Sequence, residues 1–117
     1  MWRMLFLLFC VPVAGCSVAI FDESSCANDV KQEIGSPDGR YTATAFIRDC
    51  GATTDFSPQV YLRRTGERME KTGNVFIGDH SNEITIRWLS TNELEISSPG
   101  KVVRSLNAFE GIKITLR

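Results

Sequence analysis

The stretch "CANDVKQEIGSPDGRYTATAFIRDC", residues 26–50, begins and ends in cysteine and carries Ser36-Pro37-Asp38-Gly39 near its middle. Proline presets the φ of the second turn position, and glycine accepts a positive φ at little cost. A type I turn closed by a glycine bulge is a common three-residue hairpin loop. With Pro37, Asp38 and Gly39 in that loop, Ser36 faces Arg40, and every further pair keeps the same sum of residue numbers. Cys26 then falls opposite Cys50. Turn chemistry and cysteine position are separate lines of argument, and both give one hairpin. The pairing sets Ile34 near Thr42 and Val30 near Phe46 on one face, with Tyr41, Ala43, Ala45 and Ile47 on the other. The competing reading is a short helix over residues 27–34 with Gly35 as its C-cap.

Downstream, period-two alternation recurs. Val60 and Leu62 alternate with Tyr61 and Arg63, and then come "NVFIG", "EITIRWL", "ELEIS", "KVVRSL" and "IKITLR". Ile84, Ile86 and Trp88 point one way, as do Leu94 and Ile96. The short links "STN", Pro99-Gly100 and Glu110-Gly111 are turn-forming, with Pro99-Gly100 matching a type II turn. The pattern predicts an all-β domain of about seven or eight antiparallel strands in a meander, a sandwich or partly closed barrel stapled by a disulfide. "TGERMEKTG" reads as a mobile polar loop.

Upstream, Arg3 precedes an apolar run broken by Pro12, and the run ends in Val13-Ala14-Gly15-Cys16. Polar residues arrive by Asp22, so the run falls short of the roughly 20 residues that a membrane-spanning helix needs. Small residues at 13 and 15 suit cleavage just before Cys16, as in a secretory signal. The four residues resemble the lipobox of bacterial lipoproteins, in which the cysteine thiol takes a diacylglyceryl group and becomes the first residue after cleavage. Plain secretion with a free thiol is the alternative. The resemblance implies anchorage without a span, since each buried methylene contributes ~0.8 kcal/mol and two or three chains hold a protein on a bilayer. Ser17 in the next position implies, in a Gram-negative host, an outer-membrane location facing the periplasm. The expected organisation is a leader over residues 1–15, a lipidated N-terminus and tether over 16–28, and one domain over 29–117.

Cys10 is lost with that leader and Cys16 carries lipid, which leaves Cys26 and Cys50 for a disulfide outside the cytosol. A single reactive thiol is the other reading, and it lacks a neighbouring histidine in sequence. The net charge of the whole chain is −1, and no basic cluster exceeds Arg63-Arg64, whose side chains would point to opposite faces of a strand. That excludes the electrostatic footprint of a nucleic-acid binder.

Catalytic patterns are sparse. The lone histidine, His80, sits in "GDHSNE" beside Asp79, Asn82 and Glu83, residue types that turns collect for capping. No metal site is expected from them, because a secure zinc site wants several N or S ligands at recognisable spacing. There is no G-x-S-x-G elbow and no S-x-x-K. Glu93 and Glu95 share a face and are expected to meet water. Neither a cofactor nor an enzymatic activity is expected.

The most distinctive stretch is "DCGATTDFS", residues 49–57, where small residues follow the cysteine. Gly51, Ala52, Thr53 and Thr54 form the candidate partner-binding loop, since loops on a rigid frame commonly carry binding. "SPDGRY" followed by "RDCGATTDFS" resembles a set of small, uncharacterised bacterial exported proteins and lipoproteins that share the turn and the loop, over about residues 29–60. The resemblance brings no activity with it. The expected role is a lipid-anchored envelope protein that binds an envelope partner or acts structurally. The alternative is an inhibitor or immunity protein against a cell-wall hydrolase or toxin, because small disulfide-stapled β-barrel lipoproteins that inhibit lysozyme have a similar build.

Overall fold

The computed structural model describes residues 26–51 and 54–117. Among them lie β1 (Ala27–Gly35), β2 (Tyr41–Asp49), β3 (Ser57–Arg64), β4 (Phe76–Asp79), β5 (Thr85–Ser90), β6 (Glu93–Ser97), β7 (Lys101–Ser105), β8 (Ala108–Phe109) and β9 (Ile112–Leu116). One sheet runs β1-β2-β3-β4-β7 and the other β5-β6-β9-β8. The all-β expectation holds, and residues 27–34 are strand, not helix. The first strand starts at Ala27, two residues ahead of the expected domain boundary.

The β1–β2 hairpin corrects the expected register by one residue at its turn. Near the turn, Gly35 pairs with Thr42 and Ile34 with Ala43, while beyond Lys31 the pairs are Val30 with Phe46 and Ala27 with Asp49. Side-chain capping is the reason. The Ser36 hydroxyl donates to Asp38 Oδ1 (2.7 Å) and accepts from the Tyr41 amide (3.1 Å), while Asp38 Oδ1 also accepts from the Arg40 amide (3.2 Å). These contacts draw Arg40 into a four-residue loop closed by Ser36 N–H to Tyr41 O (2.8 Å). A bulge at Lys31 restores the alignment, and Cys26 and Cys50 form the expected disulfide.

That bulge also changes which side chains reach the core. It moves Ile34 to the face of Ala43 and leaves Val30 outside beside Phe46. Gln32 turns inward and grips the edge of the second sheet, accepting from Ile86 N–H (2.8 Å) and donating to Ile86 O over a longer 3.5 Å. Trp88 Nε1 donates to Ile34 O (3.0 Å), a second tie between the sheets. Between them Ala43, Ala45, Val60 and Leu62 pack against Ile86, Leu94, Ile96 and Ile114. The predicted alternation in "EITIRWL" and "ELEIS" is the inward face of the second sheet.

The meander does not continue past β4. The chain crosses to the second sheet, returns for β7 beside β4, and crosses again, so β6 and β9 pair in parallel. The first crossing and the return to β7 pack on each other: the Ser98 hydroxyl donates to Glu83 O (3.0 Å), and a side chain on Gly100 would collide with the Asp79 carbonyl. Close approach, and not a left-handed φ, therefore requires glycine at 100, which replaces the expected type II turn. The exposed edge strand β7 shows Val102 and Val103 to solvent but flanks them with Lys101 and Arg104, charges that discourage edge-to-edge pairing.

Two further expectations change. In "TGERMEKTG", Lys71 O accepts from Asn28 Nδ2 (2.9 Å) and Arg48 Nη1 (3.1 Å), and Gly73 N–H donates to Gln59 Oε1 (2.7 Å). The end of this loop is thus docked on the outer face that holds fully buried Phe46. Glu95 does not simply meet water, because its side chain is largely shielded and its carboxylate is held by Arg87 (3.1 Å) and Arg117 (3.8 Å).

Three strands are also tied across the outer face. Glu33 accepts from the Arg63 guanidinium (3.0 Å) and the Thr44 hydroxyl (3.1 Å), and Arg63 also donates to Thr44 Oγ1 (3.2 Å). The hydrogen bond from Arg63, followed by that from Thr44, holds the Glu33 carboxyl below its ordinary value.

Two predictions follow from the hairpin. Replacing Cys26 and Cys50 together by serine should cost roughly 3 kcal/mol in denaturant unfolding, the chain-entropy value for a loop of this length; no change would mean that the bridge adds nothing to the domain. Because the Glu33 carboxyl is depressed, its contribution is present above the ordinary carboxylate range and is lost as pH falls through the folded value. Glu33→Gln should therefore lower the melting temperature at neutral pH and converge with wild type in acid, whereas parallel curves would assign no linkage to this group.

Candidate functional site

At the disulfide end, Asp49 Oδ1 accepts from Gly51 N–H (3.0 Å), and Gly51 takes a φ of 117° that a side chain would resist. The Thr54 amide (3.2 Å) and hydroxyl (3.1 Å) both donate to Gly51 O. These contacts make a tight connection directly behind Cys50. Of the expected loop residues, Gly51 and Thr54 are exposed there, while Ala52 and Thr53 lie outside the described residues, as does Cys16.

The fold brings a second sequence feature to the same end. His80 follows β4 in the left-handed region (φ 61°), a conformation uncommon outside glycine. It places Nε2 3.0 Å from Asp55 Oδ2 and Nδ1 3.3 Å from Asp79 Oδ2. Asp79 also accepts from the His80 amide (2.9 Å), which steadies the turn. The loop after Cys50 and the turn after β4 are thereby joined through one imidazole. Donor atoms of Asp55, Asp79 and His80 lie within 4.8 Å of one another. Each imidazole nitrogen faces a carboxylate, and a nitrogen that carries a proton donates to the one it faces.

Asn82 and Glu83, read from sequence as turn residues, take different parts. The Glu83 backbone is capped by the Ser81 hydroxyl (3.0 Å), and Asn82 lines a cleft of about 260 Å³ together with Asn28, Lys31, Ile47, Asp49 and Phe56. Phe56 is 44% exposed at its rim. The cleft is mixed in character, with the Phe56 ring and Ile47 bordered by Asp29, Asp49, Lys31 and two asparagines. Sequence reasoning singled out residues 51–54 and His80 separately. It missed Asp55 and Phe56, whose role depends on β3 being the neighbour of β4.

The opposite end of the hairpin holds a larger, open cleft of about 540 Å³ lined by Gly39, Arg40, Tyr41, Arg64 and Thr65. Arg63 and Arg64 do diverge as their strand positions predict: Arg63 faces Glu33, and Arg64 pairs with Tyr41 on the other face.

His80→Ala deletes both carboxylate contacts and should speed amide hydrogen exchange at Asp55 and Phe56 while leaving β6 and β9 protected. Unchanged exchange at Asp55 would show that the imidazole does not hold the loop.

No curated protein and no solved structure matches this chain. A family match is found over residues 1–107, to the family described as "Family of unknown function (DUF5412)". The chain belongs to that family.

Proposed function

We propose that this is a lipid-anchored protein of the bacterial envelope, held by acyl chains on Cys16, whose β domain binds an envelope partner without catalysing a reaction. The Cys26–Cys50 bridge carries the reading. A disulfide between residues so close behind an apolar leader suits an oxidising compartment reached by export. The apolar leader and Cys16 both fall within the family match over residues 1–107.

Geometry supports an orientation as well. β1 runs from the disulfide to the turn, so the Cys26 end is tied to the short tether and the Ser36–Arg40 turn stands farther out. The contact surface is the disulfide end, where Gly51 and Thr54, the rim of Phe56 and the Asp55–His80 pair lie together. The bonds from Thr54 to Gly51 O and from His80 to Asp55 fix described residues of this surface before a partner arrives, which lowers the entropy lost on association.

Expression of the full chain in a bacterial host tests the anchor. The product should be a membrane-associated species lacking residues 1–15 and carrying acyl mass, and Cys16→Ser should yield a non-acylated product. An untrimmed, fat-free wild-type protein in the cytosol would overturn the reading. For the surface, a Thr53→Ala/Thr54→Ala pair should weaken crosslinking to an envelope partner several-fold, and undiminished capture would remove the loop from the interface. Capture of a wall hydrolase together with loss of its activity would assign the inhibitor role.

A further inference from the structure

The turn end of the hairpin is built to present cations. Ser36–Asp38 capping places Arg40 inside the loop, and Thr65 N–H donates to Arg40 O (2.9 Å), so the start of β2 and the end of β3 are clamped side by side. Arg64, opposite Tyr41, donates through Nε to Glu110 Oε1 (3.3 Å), and the same oxygen accepts from the Tyr41 hydroxyl (3.0 Å). Glu110 reaches them from a Glu110-Gly111 turn in which both residues have positive φ (51° and 85°), the type I′ pattern between β8 and β9.

This arrangement fixes Arg64 by one edge and leaves its terminal amino groups without a hydrogen bond among the described residues. The Arg40 guanidinium likewise has no partner among them. Three carboxylates stand near: Asp38 accepts from the Ser36 hydroxyl and the Arg40 amide, Glu67 from the Arg64 amide (3.3 Å), and Glu110 from Tyr41 and Arg64. Each is thus engaged by donors of its own chain. Elsewhere, Arg48, Arg63, Arg87 and Arg117 are engaged with acceptors of their own, whereas Arg68 and Arg104 have none among the described residues but do not line this cleft.

We propose that this cleft is an oxyanion site, in which the guanidinium groups of Arg40 and Arg64 together take one phosphate or carboxylate group. Guanidinium forks match both groups in bidentate geometry, and charge-assisted bonds of this kind are about twice as strong as neutral ones. The open cleft of about 540 Å³ admits an oxyanion borne on a larger molecule. Two envelope chemistries supply one: phosphorylated lipids or glycans, and the carboxylates of wall peptides. The site stands whether or not Cys16 is lipidated. Anchoring would add only that the site projects outward, about 30 Å along β1 from the disulfide.

The test is an NMR titration of the full chain in a maltoside detergent, which carries no anionic group, with inorganic phosphate and succinate at constant ionic strength. Saturable shifts should appear at the Arg40 and Arg64 side-chain N–H signals and the Thr65 amide. Stronger binding of phosphate assigns the phosphorylated source, and stronger binding of succinate the carboxylate source. Arg40→Gln, at an exposed loop position, should weaken binding about tenfold, and Arg64→Gln should do likewise, while Arg87→Ala should leave it unchanged. Shifts that rise linearly without saturation, or that persist undiminished in Arg40→Gln, would overturn the site. Failure of the lipid anchor would not alter this titration, so the two readings fall separately.

Discussion

A hairpin whose two ends are fixed by different chemistry must keep a consistent register along its whole length, and the rest of this domain depends on how β1 and β2 meet that constraint. At one end, Ser36 and Asp38 cap the loop and settle Tyr41 as the first paired residue of β2. At the other, a covalent bond demands that Cys26 and Cys50 meet. The two demands differ by one residue, and the bulge at Lys31 absorbs the difference. A slip of one residue exchanges the two faces of a strand, so the place of the bulge decides which side chains are core. Ile34 and Gln32 are brought inward, and through Gln32 the hairpin takes hold of Ile86 in the second sheet.

The crossings between the sheets follow from the same architecture. Because β7 returns to pair with β4, the turns after β4 and β6 pack together at the disulfide end. Gly100 permits the close approach, and His80 adopts a left-handed backbone beside it. That conformation aims the imidazole between Asp79 and Asp55, and so couples the turn to the loop after Cys50. The surface proposed for partner binding is therefore supported from three directions: the bridge behind it, the histidine beside it and the Phe56 rim at its edge.

The two ends of the hairpin differ in chemistry. Asparagines, a Lys31–Asp29 ion pair, Asp49 and an exposed aromatic gather at the bridge, whereas partly unengaged guanidinium groups gather at the turn. A protein tethered near residue 26 would hold the first surface closer to its membrane and present the second outward. The length of β1 separates the two surfaces.

Local rules were enough to read much of this from the chain. The turn at residues 36–39, the opposed cysteines and the inward rows Ile84-Ile86-Trp88 and Leu94-Ile96 are consequences of backbone preference and period-two burial, properties that each segment carries by itself. The separate directions of Arg63 and Arg64 belong to the same class. What needed the tertiary structure was everything set by contacts between segments distant along the chain. The bulge at Lys31 exists because a capped turn and a bridge must coexist. The parallel β6–β9 pair exists because β7 was claimed by β4. Asp55 meets His80 only once β3 lies beside β4, and Glu110 meets Tyr41 and Arg64 only after two sheets have closed on one core; local patterns place these residues in a loop and a turn without naming their partners. Side-chain alternation reports which face of a strand is buried, but it contains no information about which strand lies next to it.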